Sequence, residues 1–163
     1  RTDVGIVSEI KANPDILITR FGSQSVVVFV STVHSWSSRK SIRLADLDGQ
    51  DMVMREEGSM TRQVVEKALK EKKIRSNVVM EVGSREAVWE AVAEGHGIGV
   101  ISEISLQPDP RIKALSISDH KIQTRIDAVC LKQRQHSSVV RTFLRMVDAV
   151  NGESLGFTKT PNS

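Results

Sequence analysis

The feature that most constrains this chain is a regular alternation between residues 51 and 102. "DMVMR" reads as an apolar strand, followed by a "GS" turn. "TRQVVEKALKEKK" then brings Val64, Val65, Ala68 and Leu69 round at helical spacing, with terminal lysines that suit the helix dipole. "NVVMEVG" is a second strand, "SREAVWEAVAEG" a second helix with Ser84 as N-cap and Gly95 as stop, and "GIGVIS" a third strand. Strands that alternate with helices require an α/β architecture, for which mainly parallel sheets and right-handed crossovers are expected. In such sheets ligands sit at the carboxyl ends of strands, beside helix N-termini.

The flanks add strands. "DVGIV" (3–7), "DILITRF" (15–21) and "SVVVFVS" (25–31) are strand-like, and the last is β-branched and uncharged, as buried strands are. "STVHSWSSRKS" (31–41) reads as a polar, irregular linker, and "IRLADLDGQ" (42–50) as a short helical turn ending at Gly49. "RIKALSI" and "RIDAVCLK" are two more strands. "SSVVRTFLRMVDAV" (137–150) is a closing helix with Val140, Phe143, Leu144, Val147 and Val150 on one side, and residues 151–163 are a flexible tail. The chain opens on Arg1 and enters an apolar strand pattern at once, which reads as a fragment of a longer protein.

A length of 163 residues allows one good-sized core or two small lobes. Hydrophobic residues at 39% and charged residues at 26% place the chain among soluble globular proteins, and no stretch is apolar for long enough to span a membrane. No signal-peptide pattern is read within these 163 residues. The net charge is +3, but Lys and Arg are interleaved with acids, unlike the basic stripe of a nucleic-acid-binding face. Cys130 is the single cysteine, so there is no internal disulfide, and its place in "IDAVCL" reads as a reduced core thiol. His34, His96, His120 and His136 lack metal-binding spacing, and neither a G-x-S-x-G elbow nor an H-E-x-x-H pair occurs. "GHGIGV" is glycine-rich, but it follows a helix and precedes a strand, the reverse of a dinucleotide loop, and reads as a tight turn. No enzyme, cofactor or metal is expected.

The candidate site is "GSMTR". Gly58 lets the backbone turn closely, Ser59 and Thr61 offer hydroxyl donors, and Arg62 adds a planar cation. The helix that follows contributes free N–H groups and the positive end of its dipole. Together they suit a carboxylate, phosphate, phosphonate or sulfate. A hydroxyl before a helix is also an ordinary cap, and here the two readings stand level. In "GSREA", Ser84 reads as a plain N-cap. Trp36, a large ring in a polar segment, either walls a cleft or covers the edge of the core, whereas Trp89 inside a helix is core. Glu9 and Glu57 are candidates to face a cleft and meet a ligand amine, and the charge run at 67–75 is a solvated helix end.

The ordered set of motifs resembles the effector-binding domain of LysR-type transcriptional regulators. "RTDVGIVSE" looks like that family's strand after its G-x-x-D turn, and "SVVVFVSTVHS" is similar to its crossing strand before a His-Pro segment. "IRLADLDGQDMVM" resembles its L-x-D-L stretch, and "VGSREAVWEAVAEGHGIGVISE" resembles its helix and Gly-x-Gly-Ile strand almost throughout. "IDAVCLKQRQHSSVVRTFLRMV" is similar to its closing strand and helix, so the likeness covers residues 1 to about 150. One departure is that His34 is followed by Ser35, not proline.

The resemblance implies a two-lobed periplasmic-binding-protein-like (type II) α/β fold whose first lobe is incomplete here. Residues 1–31 and 125–150 would form lobe I and residues 32–124 lobe II. The missing opening βα units amount to about 60 residues at roughly 30 per unit. It further implies a small-molecule effector between the lobes, a cytoplasmic protein, and assembly into homodimers or tetramers. DNA would be bound only through an upstream winged helix-turn-helix. It places "GSMTR" on a helix that faces the effector, with Ser59 and Thr61 as ligand contacts. A transporter's solute-binding protein of the same fold is the alternative, separated by whether a signal peptide or a helix-turn-helix lies upstream; an enzyme on this fold is a third.

Overall fold

The computed structural model describes residues 3–8 and 13–152, with side chains through residue 149. Among these the elements run β1 (Val4–Ser8), β2 (Ile16–Ser31), β3 (Ser41–Ile42), β4 (Asp51–Arg55), α1 (Met60–Glu71), β5 (Asn77–Val82), α2 (Arg85–Ala93), β6 (Gly99–Ser102), β7 (Ile112–Ile117), β8 (Gln123–Leu131) and α3 (Ser138–Gly152). Short 3₁₀ turns occupy Leu44–Leu47, Glu103–Ser105 and Lys132–Arg134. The chain divides into two compact units, residues 1–24 with 124–163, and residues 25–123.

In the first unit β1 pairs antiparallel with β8, from Val4 opposite Cys130 to Ser8 opposite Ile126. Cys130 is buried and free, and burial pushes its thiol pKa up, as a core thiol requires. On α3, Val140 and Val147 are buried and Phe143 and Leu144 half-buried, which is the stripe read from the sequence, apart from Val150, whose side chain lies outside the description. The tail expected at 151–163 starts later, since α3 runs to Gly152, and the rest of it lies outside the described residues.

In the second unit the expectation of mainly parallel sheets needs correction. β4 and β5 are parallel, and Met52 bridges Ile98 in parallel just ahead of β6. β2, however, is antiparallel to both β6 and β7, and only the two-residue β3 joins β7 in parallel. Parallel pairing needs a crossover of a dozen or more residues. Within 51–102 the helices α1 and α2 supply such crossovers, and β3 reaches β7 through the whole of residues 43–111.

β2 is one strand of 16 residues where the sequence suggested two. Gly22 and Ser23, which lie between the two runs, are extended backbone and both buried. Past it, Val26, Val28 and Val30 enter one core with Leu44, Leu47, Met52, Met54, Val65, Leu69 and Leu115. Val27 and Phe29 enter a second core, on the other face, with Val53, Val88, Val92 and Ile101. Burial on both faces explains why "VVVFV" has no polar alternation, and each side chain so buried contributes about 1.5–3 kcal/mol. Gly99 lets β6 lie against β2, because a Cβ there would collide with the Phe29 ring.

The expected polar linker at 31–41 is a run of closed turns. His34 N–H donates to Ser31 O, Ser37 N–H to His34 O and Arg39 N–H to Trp36 O. Between them Trp36 points inward and is 6% exposed, a member of the first core. His34 meets its ring edge-on at 5.3 Å, and Arg39 lies 5.2 Å from the ring centre.

Candidate functional site at the start of α1

Because β4 and β5 are parallel, both leave the sheet at the same edge. Glu56 N–H donates to Val82 O at 3.1 Å, which holds the two exits together. Ser59 N–H donates to Glu56 O at 2.9 Å, closing the turn that launches α1. "GSMTR" and "GSREA" are therefore neighbouring helix starts at the carboxyl edge of one strand pair, the position where α/β folds take ligands.

The two starts differ chemically. Ser84 caps α2, its Oγ accepting the Ala87 N–H at 3.0 Å, and Glu86 in the first turn offsets the dipole. Ser59 holds the N-cap position of α1 with φ −71° and ψ 123°, but its side chain makes no capping bond, and the first turn carries no acid. Thr61 is half-buried, and no hydrogen bond joins its hydroxyl to another described residue. The ladder of α1 begins with Gln63 N–H on Ser59 O, which leaves the N–H groups of the first turn without intrahelical acceptors. Gly58 is exposed, lacks a positive φ, and has open space where a Cβ would sit, so its backbone conformation does not require glycine.

Arg62 does not supply the free cation expected of it. It is buried, and its guanidinium is committed inside the protein. Nε donates to Glu66 at 2.7 Å, and one terminal nitrogen donates to Glu81 and, at 2.7 Å, to the Arg55 carbonyl. Glu81 and then Glu66 hold its pKa above the ordinary arginine value. The residue ties α1 to β4 and β5, which fixes the direction of the helix start. Arg55 and Glu56 pair at 2.6 and 2.7 Å, and Arg55 holds the Glu56 carboxyl below its usual range. What this corner offers an anion is therefore two hydroxyls, N–H groups without intrahelical acceptors and the helix dipole. Trp36 is buried as a member of the first core. Glu57 is exposed, with its carbonyl accepting from Gln63 at 3.0 Å. Glu9 lies outside the described residues.

A second concavity was missed by the sequence reading. It runs along α2, about 220 Å³ in volume, with Arg85 and Trp89 on one side and Ser105 and Gln107 on the other. Its walls come from separate segments without a motif. Its only sequence signal is that Arg85 and Trp89, four apart, share a helix face.

The family profile described as LysR substrate binding domain matches residues 1–151. The HTH-type transcriptional activator CmpR of Synechocystis sp. is 33% identical over 145 residues, covering 87% of this chain and 48% of that protein. The chain spans about half the length of the curated relatives it matches. The Synechocystis PCC6803 CcmR regulatory domain, solved in complex with 2-PG, superposes with a TM-score of 0.80 at 30% identity, covering 93% of this chain and 74% of that one. The effector binding domain of QuiR in complex with shikimate gives a TM-score of 0.82 at 24% identity over 93% of this chain and 73% of that one, a likeness of fold. The fold is thus the periplasmic-binding-protein-like (type II) α/β fold. The matched relatives are named as regulators of transcription, not as enzymes or transport proteins. With a profile match along nearly its whole length, the chain belongs to the LysR-type transcriptional regulators, as their effector-binding domain.

Proposed function

We propose that this domain senses a small anionic metabolite on behalf of a cytoplasmic DNA-binding regulator, and that the start of α1 receives the ligand's oxyanion. The carrying observation is the contrast between the two helix starts. α2 is capped and has an acid in its first turn, while α1 keeps the Ser59 and Thr61 hydroxyls free beside unsatisfied N–H groups. In this reading the effector lies between two lobes, as the resemblance implies, and shifts a population of lobe or subunit arrangements. A homodimer or tetramer carries the shift to upstream helix-turn-helix domains that contact DNA.

The test is binding and melting measured on the same variants, with 2-PG and shikimate as first probes. Thr61→Val keeps the shape and removes the hydroxyl. A hydroxyl that meets a charged oxygen contributes about 1.5–3 kcal/mol, so affinity is expected to fall roughly ten- to a hundredfold with the melting temperature nearly unchanged. Unchanged affinity in both Thr61→Val and Ser59→Ala, for a probe that binds the parent, would remove the ligand role.

A further inference from the structure

The concavity along α2 is lined by Arg85, Trp89, Ile101, Ser105 and Gln107 together with the acids Glu86, Glu90 and Asp109, and no residue of "GSMTR" borders it. Its wall is rigid. One face of the Trp89 ring stacks on Phe29, with centres 5.2 Å apart and planes at 25°. The indole N–H donates to Asp109 at 2.9 Å, so the ring cannot turn away. Arg111 binds Asp109 at 2.8 Å and clasps both oxygens of Glu90 at 2.8 and 2.9 Å. Both carboxylates are hydrogen-bonded, and their two charges against the single charge of Arg111 leave this trio at net −1 on the cavity wall. Ile101, buried, forms an apolar floor.

Two further charges stand beside it. Arg85 and Glu86 are exposed and make no ion pair with another described residue, and Glu86 lies near enough to Arg55 to help raise that residue's pKa. Ser105 and Gln107 add a hydroxyl and an amide that are likewise unbonded among the described residues. An apolar wall beside one open cation and one open anion selects a ligand with the same elements in reverse. A plain carboxylate would leave Glu86 facing like charge, and a plain amine would leave Arg85 so. The volume is smaller than that of drug-sized pockets and suits a compact ligand. We infer that this cavity binds the zwitterion of a small, free α-amino acid with an apolar side chain. Arg85 takes the carboxylate, Glu86 the ammonium, and Trp89 and Ile101 the side chain.

The experiment is calorimetric titration of the full chain with L-leucine, backed by ligand-observed NMR. The controls are N-acetyl-L-leucine, which lacks the ammonium, and isoamylamine, which lacks the carboxylate. The expected dissociation constant is on the order of 0.1–1 mM, and both controls bind about tenfold more weakly or worse. Arg85→Gln and Glu86→Gln each weaken L-leucine by about tenfold or more; the melting temperature is unchanged in Arg85→Gln and slightly lowered in Glu86→Gln, which loses the acid of the first helical turn. No binding of L-leucine by either method overturns the inference, as do controls that bind equally well or affinity that survives both substitutions. Thr61→Val leaves L-leucine binding intact, so this site and the α1 site stand or fall separately.

Discussion

Thr61 and Arg62 are adjacent in sequence and face different tasks. Thr61 keeps an unused hydroxyl at the helix start, while Arg62 points into the protein and bonds two strands and its own helix. Arg62→Met is expected to destabilise the fold by about 2 kcal/mol, measured by urea denaturation. The charged hydrogen bond to the Arg55 carbonyl is lost, but Glu66 and Glu81, about half exposed, can rehydrate, so the cost stays below that of a fully buried pair. The two serines predict a second contrast. Ser84→Ala removes a formed cap and costs about 1 kcal/mol, whereas Ser59→Ala, with no cap bond to lose, stays within about 0.5 kcal/mol. Equal losses at both positions would show that Ser59 caps after all. The Ser84 cap was legible in the sequence because its acceptor–donor pair spans three residues. The role of Arg62 was not, because Glu81 lies 19 residues away and only the β4–β5 pairing brings it near. For Trp36 the sequence left two readings open, because its neighbours are polar; the turns at 31–41 carry the ring into a core built elsewhere.

At the level of elements, α2 is held to the segment before β7 by Arg111, which binds Asp109 and Glu90. Arg111, and then the Trp89 N–H, hold the Asp109 carboxyl below the ordinary range. A depressed carboxylate contributes stability that is present above its unfolded pKa and is lost as pH falls toward its folded value. The parent should therefore lose melting temperature progressively below about pH 4, and Asp109→Asn should lose less over that interval. Parallel pH profiles for the two proteins would assign the effect to other groups. Gly99→Ala tests the contact of β6 with β2. Its Cβ would enter the Phe29 ring, which is expected to cost about 1–3 kcal/mol. Helices and strands between 51 and 102 were readable because periods of 3.6 and 2 are local properties. Pairing direction was not, since β2 meets β6 and β7, which lie some 70 or more residues farther along the chain. The continuity of β2 was hidden by Gly22 and Ser23, which resemble a turn in sequence and are extended only because the surrounding sheet buries them.

For the whole molecule, Ile6, Leu131, Val139 and Met146, all from the first unit, are large apolar side chains left exposed. Such surface favours association, and a homodimer or higher assembly is expected in sedimentation of the full-length protein; monomer alone at high concentration would count against it. Family membership ties the domain to transcription, and the proposed chemistry of its ligand rests on the α1 corner. The most direct measurement there is an amide NMR titration of the full chain with 2-PG. The account predicts that the Met60 and Thr61 amides shift most and saturate together, and that Thr61→Val weakens the response roughly tenfold or more. Saturable shifts elsewhere that leave Ser59 to Arg62 unmoved would contradict it.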